Sequence, residues 1–238
     1  MAFAELTIRS TVLRMDVKVS VIIPEDRRDY RNDERGKLYK SLYVLHGTSE
    51  DNSTWLNSSN LYLLARDLDV FVIFPSGYNM CYVDTKFGFL MHTFITEELP
   101  AKMTRLFPIS GKREDTFIMG DSMGGYGALY SSLMRPDLYA KAVILSSGGF
   151  RRIKHVYDTG APDLDGMMKE KYDRGDKLCD YLLLCGNQDF LYNDVKEFAD
   201  WVHENCPDLV YDARFYEGKH DFFFWNSVLP EALQFLGL

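Results

Sequence analysis

Five continuous apolar runs constrain this chain more than any other feature: Leu42-Tyr43-Val44-Leu45, Val70-Phe71-Val72-Ile73-Phe74, Thr116-Phe117-Ile118-Met119, Ala142-Val143-Ile144-Leu145 and Leu182-Leu183-Leu184. A strand with one wet face alternates apolar and polar residues. A run that is apolar throughout is buried on both faces, as in a parallel sheet covered by helices on either side. Helical patterns fall between and after these runs, near residues 61–68, 92–107, 126–135, 194–204 and 222–236. Strands alternating with helices are βαβ units, so the expected class is α/β with an open, doubly wound, mostly parallel sheet. Two stretches of period two, near residues 3–13 and 15–24, precede the runs. There Val17, Val19 and Val21 point one way and Lys18 and Ser20 the other, which predicts an antiparallel pair. A last strand near 213–216 brings the expected count to eight.

A chain of 238 residues suits one such domain better than two. At this size a large core forms without disulfide or metal staples. With 46% hydrophobic and 26% charged residues, disorder is excluded as a description of the whole. The net charge of −8 repels phosphate backbones, so nucleic acid is not an expected partner. The segment 25–37 is densely charged and reads as a solvated loop between two strands. Cys81, Cys179, Cys185 and Cys206 form no C-x-x-C pair and no zinc-finger spacing, and Cys185 reads as a buried free thiol. This usage points to a reducing, cytoplasmic compartment. The first residues lack the pattern of a secretory leader, and no apolar run reaches membrane-spanning length, so no membrane partner is expected.

In doubly wound sheets ligands bind beyond the carboxyl ends of the strands. The run ending at Met119 leads into Gly120-Asp121-Ser122-Met123-Gly124-Gly125, and a helical pattern starts at once with Tyr126. Gly-x-Ser-x-Gly is a weak signal in isolation. Placed between a strand and a helix it describes a nucleophile elbow, in which the serine takes strained backbone angles and glycine is needed two residues to either side. The helix N-terminus behind Ser122 favours the negative charge that develops during attack. A serine hydroxyl still needs a base, and the base needs an orienting acid, in the chain order Ser, Asp or Glu, His. Of the five histidines only His155, His203 and His220 follow Ser122. His203 belongs to a helical stretch and His155 to a polar one with no strand end before it. His220 sits between the final strand and the final helix and is the expected base. Asp189 is the first carboxylate past the strand 182–185 and is the expected acid. Asp194 is its rival but reads as a cap of the following helix. The oxyanion needs two backbone donors. Met123 supplies one, and Thr48, in the loop Leu45-His46-Gly47-Thr48-Ser49-Glu50, the other. His46 then holds that loop.

Four motifs carry a resemblance: His46-Gly47 followed by Trp55, Gly120-Asp121-Ser122-Met123-Gly124-Gly125-Tyr126-Gly127, Gly186-Asn187-Gln188-Asp189-Phe190-Leu191-Tyr192, and Gly218-Lys219-His220-Asp221-Phe222. In this order, over nearly the whole chain, they resemble the tributyrin esterase group of the putative-esterase family, which also holds feruloyl and acetyl-xylan esterases and S-formylglutathione hydrolases. The resemblance implies the α/β-hydrolase fold and the triad Ser122, Asp189, His220. It also implies a cytoplasmic serine carboxylesterase acting on short acyl esters of small molecules or sugars, often as a homo-oligomer. Two departures bear on substrate choice: Lys219 stands where the family often has a second glycine, and Cys81 lies where it often has tryptophan.

Aromatics near the strand ends, among them Tyr82, Phe190 and Phe222, are candidates to line the substrate pocket. The stretch 148–177, long for a crossover, is either a small methionine-bearing cap over the site or a crossover helix with ordinary loops. No motif for a cofactor or metal occurs: there is no H-E-x-x-H and no phosphate-binding Gly-x-x-x-x-Gly-Lys. The remaining alternative class is a binding protein that keeps the fold without the chemistry.

Overall fold

A computed structural model describes residues 1–25, 36–149 and 162–238. The two period-two stretches form β1 (Ala2–Arg9) and β2 (Asp16–Ile23), paired antiparallel with Ala2 opposite Ile23 and Arg9 opposite Asp16. Val17, Val19 and Val21 are fully buried, as the alternation requires. Ser20, on the other face, is buried too, because the side chain of Asn52 donates to its hydroxyl at 2.8 Å. The apolar runs become β3 (Lys40–Leu45), β4 (Val70–Pro75), β5 (Thr116–Asp121), β6 (Lys141–Leu145) and β7 (Asp180–Gly186), and the last strand is β8 (Tyr211–Tyr216). All eight lie in one sheet in the order β1-β2-β4-β3-β5-β6-β7-β8. β2 meets β4 antiparallel, and every pairing from β4 through β8 is parallel. The expected eight-stranded, mostly parallel α/β sheet is the one observed.

The helices are α1 (Thr54–Ser58), α2 (Leu61–Ala65), α3 (Met91–Thr93), α4 (Leu99–Leu106), α5 (Met123–Met134), α6 (Leu164–Asp173), α7 (Tyr192–Asn205) and α8 (Phe222–Leu236). A π-helical turn, Phe94–Glu98, joins α3 to α4. A strand buried on both faces feeds two cores. On one face Tyr43, Ile73, Ile118, Ile144 and Leu183 pack with Met91, Leu99, Leu129 and Phe198. On the other, Leu42, Val72, Met119, Val143 and Leu182 pack with Trp55, Leu61, Trp225 and Leu233. Residues 26–35 of the charged loop lie outside the described residues, as do residues 150–161 of the stretch 148–177. The later part of that stretch forms α6, which packs against α5 and α7 and buries Leu164 and Met168. Cys81, Cys179, Cys185 and Cys206 are all buried and free, and burial pushes the Cys185 thiol well above its ordinary range.

Candidate active site

β5 ends at Asp121 and α5 starts at Met123, which leaves Ser122 alone in the turn. Its φ of 51° and ψ of −117° belong to a region that costs a residue with a side chain about 1–3 kcal/mol. Two backbone bonds hold it there: its N–H donates to Leu145 O at 2.9 Å, and its carbonyl accepts the Tyr126 N–H at 3.1 Å. The flanking glycines are required by close approach. A Cβ on Gly120 would lie 2.3 Å from the carbonyl oxygen of Gly124, and one on Gly124 only 2.0 Å from that of Leu45. What excludes side chains is therefore backbone, including that of the neighbouring strand β3.

His220 and Asp189 meet. Nδ1 of His220 donates to the Asp189 carboxylate, 2.8 Å from Oδ2 and 3.0 Å from Oδ1. The Asp189 side chain is fully buried, and its Oδ1 also accepts the Leu191 N–H at 2.8 Å. The two turns that carry the pair are stitched by backbone bonds, Asn187 N–H to Tyr216 O at 2.7 Å and Gln188 N–H to Gly218 O at 2.9 Å. Trp225 packs edge-on against the imidazole, with ring centroids 5.3 Å apart, and its Nε1–H donates to Ser146 Oγ at 3.0 Å. Ser146 directly follows Leu145, the acceptor of the Ser122 N–H, so the wall behind the histidine is tied to the elbow. The rival Asp194 lies in the first turn of α7, whose N-cap is Leu191 rather than Asp194. Asp221 caps α8 through the Phe224 N–H. His203 is exposed on α7, and His155 lies outside the described residues.

The N–H of Met123 opens α5, ahead of the first intrahelical bond, and has no acceptor in the helix. In the loop after β3, the Gly47 N–H donates to Glu50 Oε2 at 2.9 Å and the Ser49 N–H to Asn79 Oδ1 at 2.8 Å. The N–H of Thr48, between them, has no acceptor among the described residues. His46 holds this loop as expected. Its Nε2 accepts the Gly77 N–H at 2.8 Å, so the ring hydrogen sits on Nδ1, which faces Gly47 O at 2.7 Å. Burial keeps the ring neutral by lowering its pKa.

The aromatic candidates divide. Phe190 is 73% exposed and tilts over the His220 ring with centroids 4.4 Å apart. Phe222 is half-buried between Trp55 and Trp225. Tyr82 is a correction: it is 0% exposed, and its ring fills the space left by the missing side chains of Gly77 and Gly127. Its hydroxyl donates to His46 O at 2.9 Å, so it supports the loop after β3 and does not line the pocket.

The sequence reading missed two carboxyl groups beside this loop. Asp121 is fully buried, and its Oδ1 accepts the Trp55 Nε1–H at 2.8 Å. Burial, reinforced by the charge of Glu50, raises the Asp121 carboxyl well above its ordinary range. Burial raises Glu50 as well, opposed by the Gly47 N–H and by the nearby His220. The aspartate in Gly-Asp-Ser-Met-Gly and the lone tryptophan of the first motif were visible, but nothing in the sequence pairs them. Among the described residues no group of three histidine, cysteine or acidic side chains could hold a metal ion, and no helix is long and apolar enough to cross a membrane.

The profile of the putative esterase family matches residues 10–189. An acetyl esterase of Caldicellulosiruptor saccharolyticus is 27% identical, over 99% of this chain and 98% of its own. Among solved structures, the fluorophosphonate-binding serine hydrolase FphF of Staphylococcus aureus superposes with a TM-score of 0.89 at 28% identity, covering 99% of this chain and 98% of FphF. The S-formylglutathione hydrolase FrmB of the same organism gives 0.85 at 27% identity, with the same coverage. An elbow serine in a mostly parallel eight-stranded sheet and a match over three-quarters of the sequence lead to one assignment: the chain belongs to the putative esterase family and is a serine carboxylic ester hydrolase of α/β-hydrolase fold.

Proposed function

We propose that the chain hydrolyses short-chain acyl esters, in the manner of a tributyrin esterase, through an acyl intermediate on Ser122, with His220 as base and Asp189 as orienting acid. The observation that carries this reading is the His220 Nδ1 bond to both oxygens of a buried carboxylate. That bond fixes the hydrogen on Nδ1 and leaves Nε2 with the lone pair a general base requires. Ser122 Oγ attacks the ester carbonyl carbon while its proton passes to Nε2. The carbonyl π electrons move onto oxygen, and the oxyanion is held by the N–H groups of Met123 and Thr48. Collapse breaks the bond to the alcohol oxygen, which leaves with the proton from Nε2. Water then attacks the acyl-serine, giving its proton to Nε2, and Ser122 takes a proton back as the acid departs. Asp189 stabilises the imidazolium in both halves.

Relatives named for acetyl ester and S-formylglutathione hydrolysis favour a small acyl group over a bulky one. The exposed ring of Phe190 beside His220 suits the alcohol side of a small-molecule or sugar ester. Four buried free thiols suit a cytoplasmic setting. The test is turnover of p-nitrophenyl acetate and butyrate beside acetylated xylan, methyl ferulate and S-formylglutathione, compared by kcat/KM. Activity on the short acyl esters that collapses in Ser122→Ala is the expected result. Undiminished turnover in that variant would overturn the reading.

A further inference from the structure

We propose that Glu50 is a positioning residue for ester hydrolysis: its carboxylate takes the Gly47 N–H and so fixes the peptide immediately before the one that presents the Thr48 N–H to the developing oxyanion. The proposal deepens the reading above and rests on its assignment of Thr48 and Met123 as the oxyanion donors.

The two peptides that meet at Gly47 are gripped from several sides. Gly47 donates its N–H to Glu50 Oε2 at 2.9 Å, and its carbonyl accepts the hydrogen on His46 Nδ1 at 2.7 Å. Its Cα lies against Asp121, because a Cβ at this position would stand 2.5 Å from Asp121 Oδ2 and 3.4 Å from Glu50 Oε2. Asp121 is itself held by the Trp55 indole. One residue upstream, Tyr82 anchors the His46 carbonyl; two residues downstream, Asn79 anchors the Ser49 N–H. Every one of these bonds leaves the Thr48 N–H untouched. Glu50 differs from the other anchors in lying, half-buried, within electrostatic reach of His220. It shares with Tyr82 the peptide immediately before the one that carries the Thr48 N–H. Full burial raises the Asp121 carboxyl, which leaves half-buried Glu50 the better placed of the two to carry charge. A charge-assisted bond to a carboxylate is roughly twice as strong as one between neutral groups, which suits a loop that must not turn when charge develops in front of it.

An oxyanion donor acts in the transition state and contributes little to substrate binding, so its misalignment lowers kcat and leaves KM nearly unchanged. The variants are Glu50→Ala, which removes the acceptor, Glu50→Met, which removes it while keeping the stem, and Glu50→Gln, which keeps an acceptor oxygen without the charge. The assay is p-nitrophenyl acetate hydrolysis, with inhibition by a phenylboronic acid, a mimic of the tetrahedral adduct. In Glu50→Ala and Glu50→Met, kcat falls by about 10- to 100-fold with KM within about twofold, and the boronate Ki rises by the same factor as kcat falls. Glu50→Gln keeps kcat within about threefold of the parent. Wild-type kcat in Glu50→Ala or Glu50→Met, a loss confined to KM, or an equal fall in Glu50→Gln would each overturn the proposal. Fluorophosphonate labelling and turnover of Ser122→Ala, run beside these, keep the two questions apart. An unlabelled, inactive serine variant together with a fully active Glu50→Ala defeats the role of Glu50 alone, whereas an active Ser122→Ala defeats the site itself.

Discussion

At the scale of single residues, burial and hydrogen bonding suit Asp189 to the orienting role proposed for it beside His220. Asp189 has no exposed side-chain surface, and its two oxygens are met by the imidazole and by the Leu191 N–H. These hydrogen bonds replace the water that burial strips from a carboxyl group. In the proposed role the aspartate selects the Nδ1–H tautomer and stabilises the imidazolium. In Asp189→Asn the shape is kept, but the charge is lost and the side-chain amide can turn its own N–H toward the ring, reversing the tautomer. For p-nitrophenyl butyrate at pH 7.5 we expect kcat to fall by about 10²- to 10⁴-fold, while KM moves little. Steady-state kinetics check this, and a kcat within a fewfold of the parent would assign the orienting role elsewhere.

Elements bring these residues together through contacts that span long stretches of sequence. Gly186, at the end of β7, lies so close to the base loop that a Cβ there would stand 2.3 Å from the Gly218 carbonyl oxygen and 2.5 Å from its carbon. Gly186→Ala must push the turn bearing Asp189 away from the loop bearing His220. Displacements of about 1 Å at a catalytic pair cost up to about 10²-fold, so we expect kcat for p-nitrophenyl acetate to drop by about 10- to 100-fold while Ser122 still reacts, slowly, with a fluorophosphonate. Unchanged kinetics would mean that the two turns give way without parting the pair. The same elements explain what was legible in advance. Apolar runs announce strands buried on both faces, and the order of strand ends follows from the βαβ rule, so the elbow and the turns bearing Asp189 and His220 could be read directly. The contacts of Tyr82, Asp121 and Glu50 could not. Tyr82 is buried by two glycines, 77 and 127, fifty positions apart, and Asp121 finds Trp55 across 66 residues. Glu50 resembles any loop carboxylate until its backbone partner is known. Helix α1, at five residues, is too short for a periodic signal, and the π-helical turn before α4 has no sequence signature of its own.

Across the whole molecule the antiparallel edge is fastened to the parallel body by the β2–β4 pairing, and one carboxylate adds a tie at the β1–β2 turn. The β1–β2 turn closes on Glu98, at the junction of the π-helical turn and α4, which accepts bonds from Ser10 Oγ, the Thr11 N–H and hydroxyl, and the Val12 N–H. Lys102, a turn along α4, stands 3.5 Å from the same carboxylate and donates to Arg9 O at 3.0 Å. Burial alone would raise the Glu98 carboxyl, but this set of donors outweighs it and brings it down to about 2. The folded protein thus binds the Glu98 proton more weakly than the unfolded chain. Its contribution to stability is complete above the ordinary glutamate range near 4.5 and is lost as pH falls from there toward 2. Discounted for solvent screening at this partly open site, the contribution is about 1–2 kcal/mol. Glu98→Gln keeps the shape and surrenders the charge, so at pH 7 its Tm should lie about 2–8 °C below that of the parent. That gap should narrow as the pH is lowered from 5 to 2.5, because the parent gives up by protonation what the variant has already lost by substitution. Differential scanning calorimetry at a series of pH values reads this directly, and a gap independent of pH would show that the turn is held by shape rather than by the charge of Glu98.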